Sequence, residues 1–155
     1  MGDLLVRLYD LPPLQSRLDA HKREGIILRA ALPPERHVVI SWISTHFPGG
    51  WASECKSSFA RLPVSCFLAV KEKEILGFAC YEATARDFFG PLGVREDCRT
   101  HKLGSTLTLA CLHAMKELGY GYAIIGGGGW TTFYSKFLDV MEIPKSDPGI
   151  YAGML

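Results

Sequence analysis

The segment "LGSTLTLACLHAMKEL", Leu103 to Leu118, restricts the fold more than any other, because as a helix it is apolar over most of its circumference. Leu103, Leu107, Ala110, Cys111, Ala114 and Leu118 make one stripe, and Leu109, Leu112 and Met115 widen it, with Gly119 as the stop. A helix of this kind is stable in water only when other elements cover it, so the rest of the chain has to supply a sheet and further helices.

Strand-like runs flank it. "DFFGPLGV" (87–94) comes before and "YGYAIIG" (120–126) after, an order that predicts a right-handed crossover between parallel strands. Gly90 and Pro91 inside the first run predict a bulge or an unpaired stretch. Upstream, "VSCFLAV" and "ILGFACYEA" joined by the charged "KEKE" read as an antiparallel hairpin.

"LLVRLYDL" reads as a strand, and Pro12 and Pro13 suit the first turn of a helix with Leu14, Leu18 and His21 on one face. "IILRAAL" reads as another strand. Pro33 and Pro34 open a helix carrying Val38, Trp42, Ile43 and Phe47, and a shorter one carries Trp51, Cys55 and Phe59 up to Pro63. After the glycines 126–129, "WTTFYSKFLD" reads as a last helix and "GIYAGML" as a closing strand whose edge could serve a homodimer. The order predicts an α/β (α+β) fold, a mixed sheet flanked by helices, in one domain over 1–155, with 1–24 as an N-terminal arm that covers an edge or a partner.

Composition narrows the functions. Of 155 residues 48% are apolar and 21% charged, and the net charge of +1 gives no basic footprint for nucleic acid. The longest uncharged run, Leu118 to Ser135, holds six glycines and exposes too much polar backbone for lipid, so no membrane partner is expected. An acid at the third residue and no apolar segment of signal length favour a soluble cytoplasmic protein. Five cysteines, at 55, 66, 80, 98 and 111, lie at least 11 residues apart with no CxxC, so they read as reduced core thiols, and no metal site is expected.

The handover "CRTHKLGST" (98–106) carries chemistry. A helix start offers backbone N–H groups without partners and about half a positive charge, and Arg99, His101 and Lys102 add side-chain donors there. Gly104 lets a ligand come close to the first turn, so the loop suits a pyrophosphate. The plainer alternative is that Thr100 or another short polar residue caps the helix. Neither G-x-x-x-x-G-K-[ST] nor G-x-G-x-x-G is present.

Arg99-Thr100-His101-Lys102-Leu103-Gly104 resembles the R/Q-x-x-G-x-G/A signature of the GNAT acyltransferases, with Lys102 where the family has its first glycine. The likeness in element order extends over about Gly25 to Val140. A Cβ at 102 either opens the loop slightly or accompanies an ammonium turned toward a phosphate.

The resemblance implies an enzyme that takes acetyl from acetyl-CoA to a primary amine, small molecule or peptide, by direct attack in a ternary complex. It implies coenzyme contacts at Leu92, Gly93, Val94 and residues Arg99, Thr100, His101, Lys102, Leu103, Gly104 and Ser105, between strands that splay apart. Tyr134 corresponds to the family tyrosine that protonates the departing thiolate. Glu82 and Asp87 are the candidate bases, and Trp51 and Glu54 fall where the acceptor pocket is built, though Trp51 also reads as core. Two rivals are a thiol enzyme using Cys98 beside Arg99, and a non-catalytic module that keeps the fold and the coenzyme.

Overall fold

The computed structural model describes residues 2–127 and 131–155. Strands β1 (Leu4–Arg7), β2 (Ile27–Ala30), β3 (Cys66–Lys71), β4 (Glu74–Tyr81), β5 (Phe88–Val94), β6 (Tyr122–Ile125) and β7 (Val140–Glu142) form one sheet in the order β2-β3-β4-β5-β6-β1-β7. The helices are α1 (Gln15–Arg23), α2 (Arg36–His46), α3 (Trp51–Ser58), α4 (Leu103–Glu117) and α5 (Thr131–Tyr134). All pairings are antiparallel except β5 with β6, the one crossover that encloses α4.

Each face of the sheet carries its own core. Leu103, Leu107, Leu109, Leu112 and Met115 of α4 are fully buried against Leu4, Val6, Ala69, Ala79 and Phe89, so the apolar circumference is covered as its sequence requires. Leu118 lies outside that seam and is exposed. On the opposite face Val39 and Ile43 of α2 and Cys55 of α3 pack on Cys66, Leu68, Phe78 and Cys80. The buried valine of α2 is Val39, and Val38 faces solvent, one position away from the expected stripe.

The β3–β4 turn uses Glu72 and Lys73 at positive φ, the geometry that matches strand twist in a two-residue hairpin. Between β4 and β5 the register shifts: Tyr81 faces Phe89 and Ala79 faces Leu92, so Gly90 and Pro91 together oppose Cys80. This bulge, with Gly90 at φ 122°, puts Phe89, Leu92 and Val94 on one face despite their uneven spacing.

Three expectations are corrected. "GIYAGML" is not a strand: Gly149–Tyr151 is a 3-10 turn, with Gly149 and Gly153 at positive φ, which breaks an extended run. The closing strand is Val140–Glu142, paired with β1. The helix expected from "WTTFYSKFLD" is described only over Thr131–Tyr134, and Trp130, Gly128 and Gly129 lie outside the described residues. Pro12 and Pro13 precede α1, with the Pro12 carbonyl accepting from His113 Nε2 at 2.9 Å. Residues 1–24 contribute β1, which lies inside the sheet between β6 and β7, and α1, which is tied to α4 by His21 Nε2 and Thr106 Oγ1 at 2.9 Å.

Candidate active site

β5 spans the site, with an acidic loop before it, a bulge within it and a basic turn after it. Its parallel pairing with β6 covers only Phe88↔Ile124 and Phe89↔Ile125, yet β5 runs on to Val94. Arg95 N–H donates to the Leu76 carbonyl of β4 at 2.8 Å. Strand alternation then turns the N–H and C=O of Leu92 and Val94 away from β4, into the space that β6 has left. Gly93 faces the other side, where Phe47 and Phe78 leave no room for a side chain.

At the end of β5 a 3-10 segment, Glu96–His101, leads into α4. Lys102 is its hinge. With φ 59° and ψ 20° it holds the left-handed conformation that glycine takes without strain, so the loop keeps a glycine-like path although a lysine stands there. The Lys102 carbonyl accepts from Ser105 Oγ at 3.0 Å and Thr106 Oγ1 at 3.2 Å, leaving the first-turn N–H groups directed outward. Thr100 is not the cap: the N-cap is Lys102 and makes no side-chain capping bond.

Arg99 Nε donates to the Val94 carbonyl at 3.2 Å, which pins the turn to the end of β5. His101 approaches Glu24 at 4.0 Å. Arg17 of α1 donates to Ser105 Oγ at 3.2 Å, a contribution that spacing within the signature could not reveal. An open cavity of about 320 Å³ lies here, lined by Arg17, His21, Glu24, His101, Lys102 and Thr106. Gly104 is needed for close packing, since a Cβ would stand 3.1 Å from Phe133 Cζ.

The loop before β5 gathers carboxylates. Glu82 and Asp87 both hold positive φ, 58° and 65°, and Glu82 Oε1 accepts the Asp87 N–H at 2.6 Å. Glu82's side chain is only 5% exposed and its other oxygen meets Arg61 at 3.5 Å. Asp87 Oδ1 is buried without a hydrogen-bond partner. Burial first, and the Glu82 charge second, push the Asp87 carboxyl up to about 6. Glu54 of α3 joins the same loop by accepting from Thr84 Oγ1 at 2.6 Å. Trp51 stands apart from it, its ring against Phe47 at 5.2 Å and Phe78 at 6.3 Å, so its packing is that of a core residue.

Tyr134 of α5 is buried beside the last paired residue of β5, its ring 6.2 Å from Phe89 and edge-on to it. Burial raises its phenol well above the ordinary value, so it stays protonated at any physiological pH. Cys98, in contrast, is a poor nucleophile: burial raises its thiol, and its sulfur faces Asp97 at 3.6 Å.

A signature turn at a buried helix, a bulge and two parallel strands that separate are thus on one strand. The family model of the acetyltransferase (GNAT) family matches residues 36–127. The chain belongs to this acetyltransferase family. Among solved structures, a GCN5-related glucosamine N-acetyltransferase region of a fungal multi-domain beta-N-acetylglucosaminidase is 13% identical, with a TM-score of 0.73, covering 92% of this chain and 19% of that one. GCN5-related N-acetyltransferases from Sphaerobacter thermophilus (18% identity, TM-score 0.71, 91% of this chain and 48% of that) and Kribbella flavida (17%, 0.61, 91% and 53%) share the GNAT fold. The chain therefore spans from about a fifth to about half of the length of these structures. The comparison with curated proteins gives no match. No helix among the described residues is long and apolar enough to cross a membrane.

Proposed function

We propose that this GNAT domain moves the acetyl group of acetyl-CoA to a primary amine by direct attack in a ternary complex. The observation that carries this reading is the early end of β5–β6 pairing, which leaves the Leu92 and Val94 backbone turned into an opening. An extended ligand with amide groups can be held there as an added strand.

The residues present fit the coenzyme. Lys102 in a left-handed conformation, Gly104, and the side chains of Arg99, His101 and Lys102 offer backbone and cationic partners for phosphates, and Thr100, Leu103 and Ser105 complete the turn. When bound, acetyl-CoA supplies an acyl group already activated as a thioester. Leu92 and Val94 orient the ligand through backbone, while Gly93, paired with Phe78 of β4, lets the strand lie close against Phe47.

The acceptor end is acidic. Glu54, Glu82 and Asp87 favour a cationic amine, and Asp87, whose carboxyl is poised at about 6, accepts the amine proton. Tyr134 holds a proton at Oη within a buried aromatic setting, suited to a group that leaves as an anion.

Calorimetry with coenzyme A and acetyl-CoA tests the reading. Wild type should bind both, Arg99→Ala should weaken binding at least tenfold, and Gly104→Asp should abolish it. A panel of a polyamine, an amino acid, an aminoglycoside and a peptide N-terminus should then reveal turnover. No binding at saturating ligand would overturn the proposal, and binding without turnover on any amine would favour the non-catalytic module.

A further inference from the structure

Away from the opening, the core under α3 holds three thiols that the sequence keeps far apart. Cys66 and Cys80 are direct partners across β3 and β4, and Cys55 comes down on them from α3. Their sulfur atoms all lie within 4.8 Å of one another, with Cys55 and Cys66 at 3.8 Å. Ser58, one helical turn after Cys55, adds an oxygen 3.9 Å from the Cys55 sulfur and 4.0 Å from that of Cys80. All four side chains are completely buried.

The Cys55–Cys66 spacing matches one edge of a known coordination shape, and the serine oxygen, at 3.9 and 4.0 Å, stands a few tenths of an ångström outside it. Zinc–sulfur bonds of about 2.3 Å and zinc–oxygen bonds of about 2.1 Å at tetrahedral angles place sulfurs about 3.8 Å apart and sulfur and oxygen about 3.6 Å apart. The Ser58 hydroxyl donates its proton to the Cys55 carbonyl at 2.6 Å, which leaves its oxygen lone pairs free to act as an acceptor toward the thiols. Among the described residues this is the sole grouping of three or more histidine, cysteine, aspartate or glutamate ligand atoms close enough to hold an ion.

We propose that Cys55, Cys66, Cys80 and Ser58 form a buried site for one soft divalent ion of the zinc class, tying α3 to the β3–β4 hairpin. Three thiols release three protons when they take a divalent ion and leave the site with one net negative charge, so the affinity should rise with pH. The site is structural, since all four donors come from the protein and none faces the opening beside β5.

The test uses the full chain, reduced and stripped by a chelator, titrated with Co(II) and then Zn(II). One Co(II) per chain should bind with thiolate charge-transfer and tetrahedral ligand-field bands, Zn(II) should displace it, and the thermal midpoint should rise with either ion. Cys66→Val and Cys80→Val, which keep apolar volume, should lose the bands, while Cys98→Ala and Cys111→Ala should keep them. Zinc X-ray absorption of the loaded wild type, which needs no variant, should show three sulfur neighbours and one oxygen. Folded wild type without Co(II) bands, bands retained by a folded Cys66→Val, or a shell lacking three sulfurs would each overturn the proposal. Coenzyme binding plays no part in these readouts, so they stand independently of the acetyl-transfer reading.

Discussion

The Asp87 backbone N–H donates to Glu82 Oε1 at 2.6 Å, closing a loop in which both acids hold left-handed backbone. Each left-handed residue costs the folded state about 1 kcal/mol. The Asp87 carboxyl sits at about 6 against an ordinary 3.8. A raised acid favours the folded state at pH values below the ordinary value, and that contribution is lost as pH rises through the folded value. Asp87→Asn should therefore stabilise the protein by about 1 kcal/mol at about pH 7.5, after discounting for solvent screening, and by nothing at about pH 3. Urea unfolding at both pH values checks this. The same variant should lose about a hundredfold in acetyl transfer, and Glu82→Gln should move the lower inflection of the rate–pH profile to below 6.

Lys102→Gly separates the loop's shape from its charge. The left-handed backbone costs a lysine about 1 kcal/mol, partly offset by glycine's freedom in the unfolded chain, so the variant should unfold at equal or slightly higher denaturant. Coenzyme binding should weaken severalfold at low salt and become less dependent on salt, because the ammonium is lost while the turn is kept.

Gly93→Ala should lose about 1–3 kcal/mol. Its Cβ would lie 2.6 Å from Phe47 Cζ and 2.8 Å from Phe78 Cε1, a distance that forces the strand or the rings to move. Phe47→Leu in the same chain should recover part of the loss, which a double-mutant cycle by thermal unfolding would measure.

Tyr134→Phe leaves the ring contacts with Phe89 and Phe133 in place and removes only Oη. Stability should stay within about 1 kcal/mol. Under the proposed role of the hydroxyl on the departing group, steady-state kinetics should show kcat lowered about a hundredfold with KM little changed.

What the sequence discloses divides along the range of the forces involved. α4 is legible because its apolar circumference is a local pattern, and the Gly90–Pro91 bulge is legible because those residues alone break a ladder. β7 is missed because its three residues have little pattern of their own and take their shape from β1. The signature turn is visible as a motif, but Arg17 reaches it from a helix 88 positions away. The thiol cluster is hidden for the same reason: Cys66 and Cys80 become neighbours only when the hairpin pairs, and Cys55 joins them only when α3 docks. The acidic loop is half legible. Glu82 and Asp87 stand out at strand ends, while the burial that raises the Asp87 carboxyl belongs to the packed structure.

The place of β1 has a consequence during synthesis. Leu4 pairs with Ile125, so the first strand made must wait for roughly 120 further residues before its partner exists. β2 through β5 with the helices between them can condense early, from neighbours in sequence. β6 can join β5 directly, whereas β7 then needs β1 to be returned to it, because β7 pairs with β1 and has no bond to β6. β1 is thus made well before either of its partners, and the sheet is completed only when it is taken up between β6 and β7.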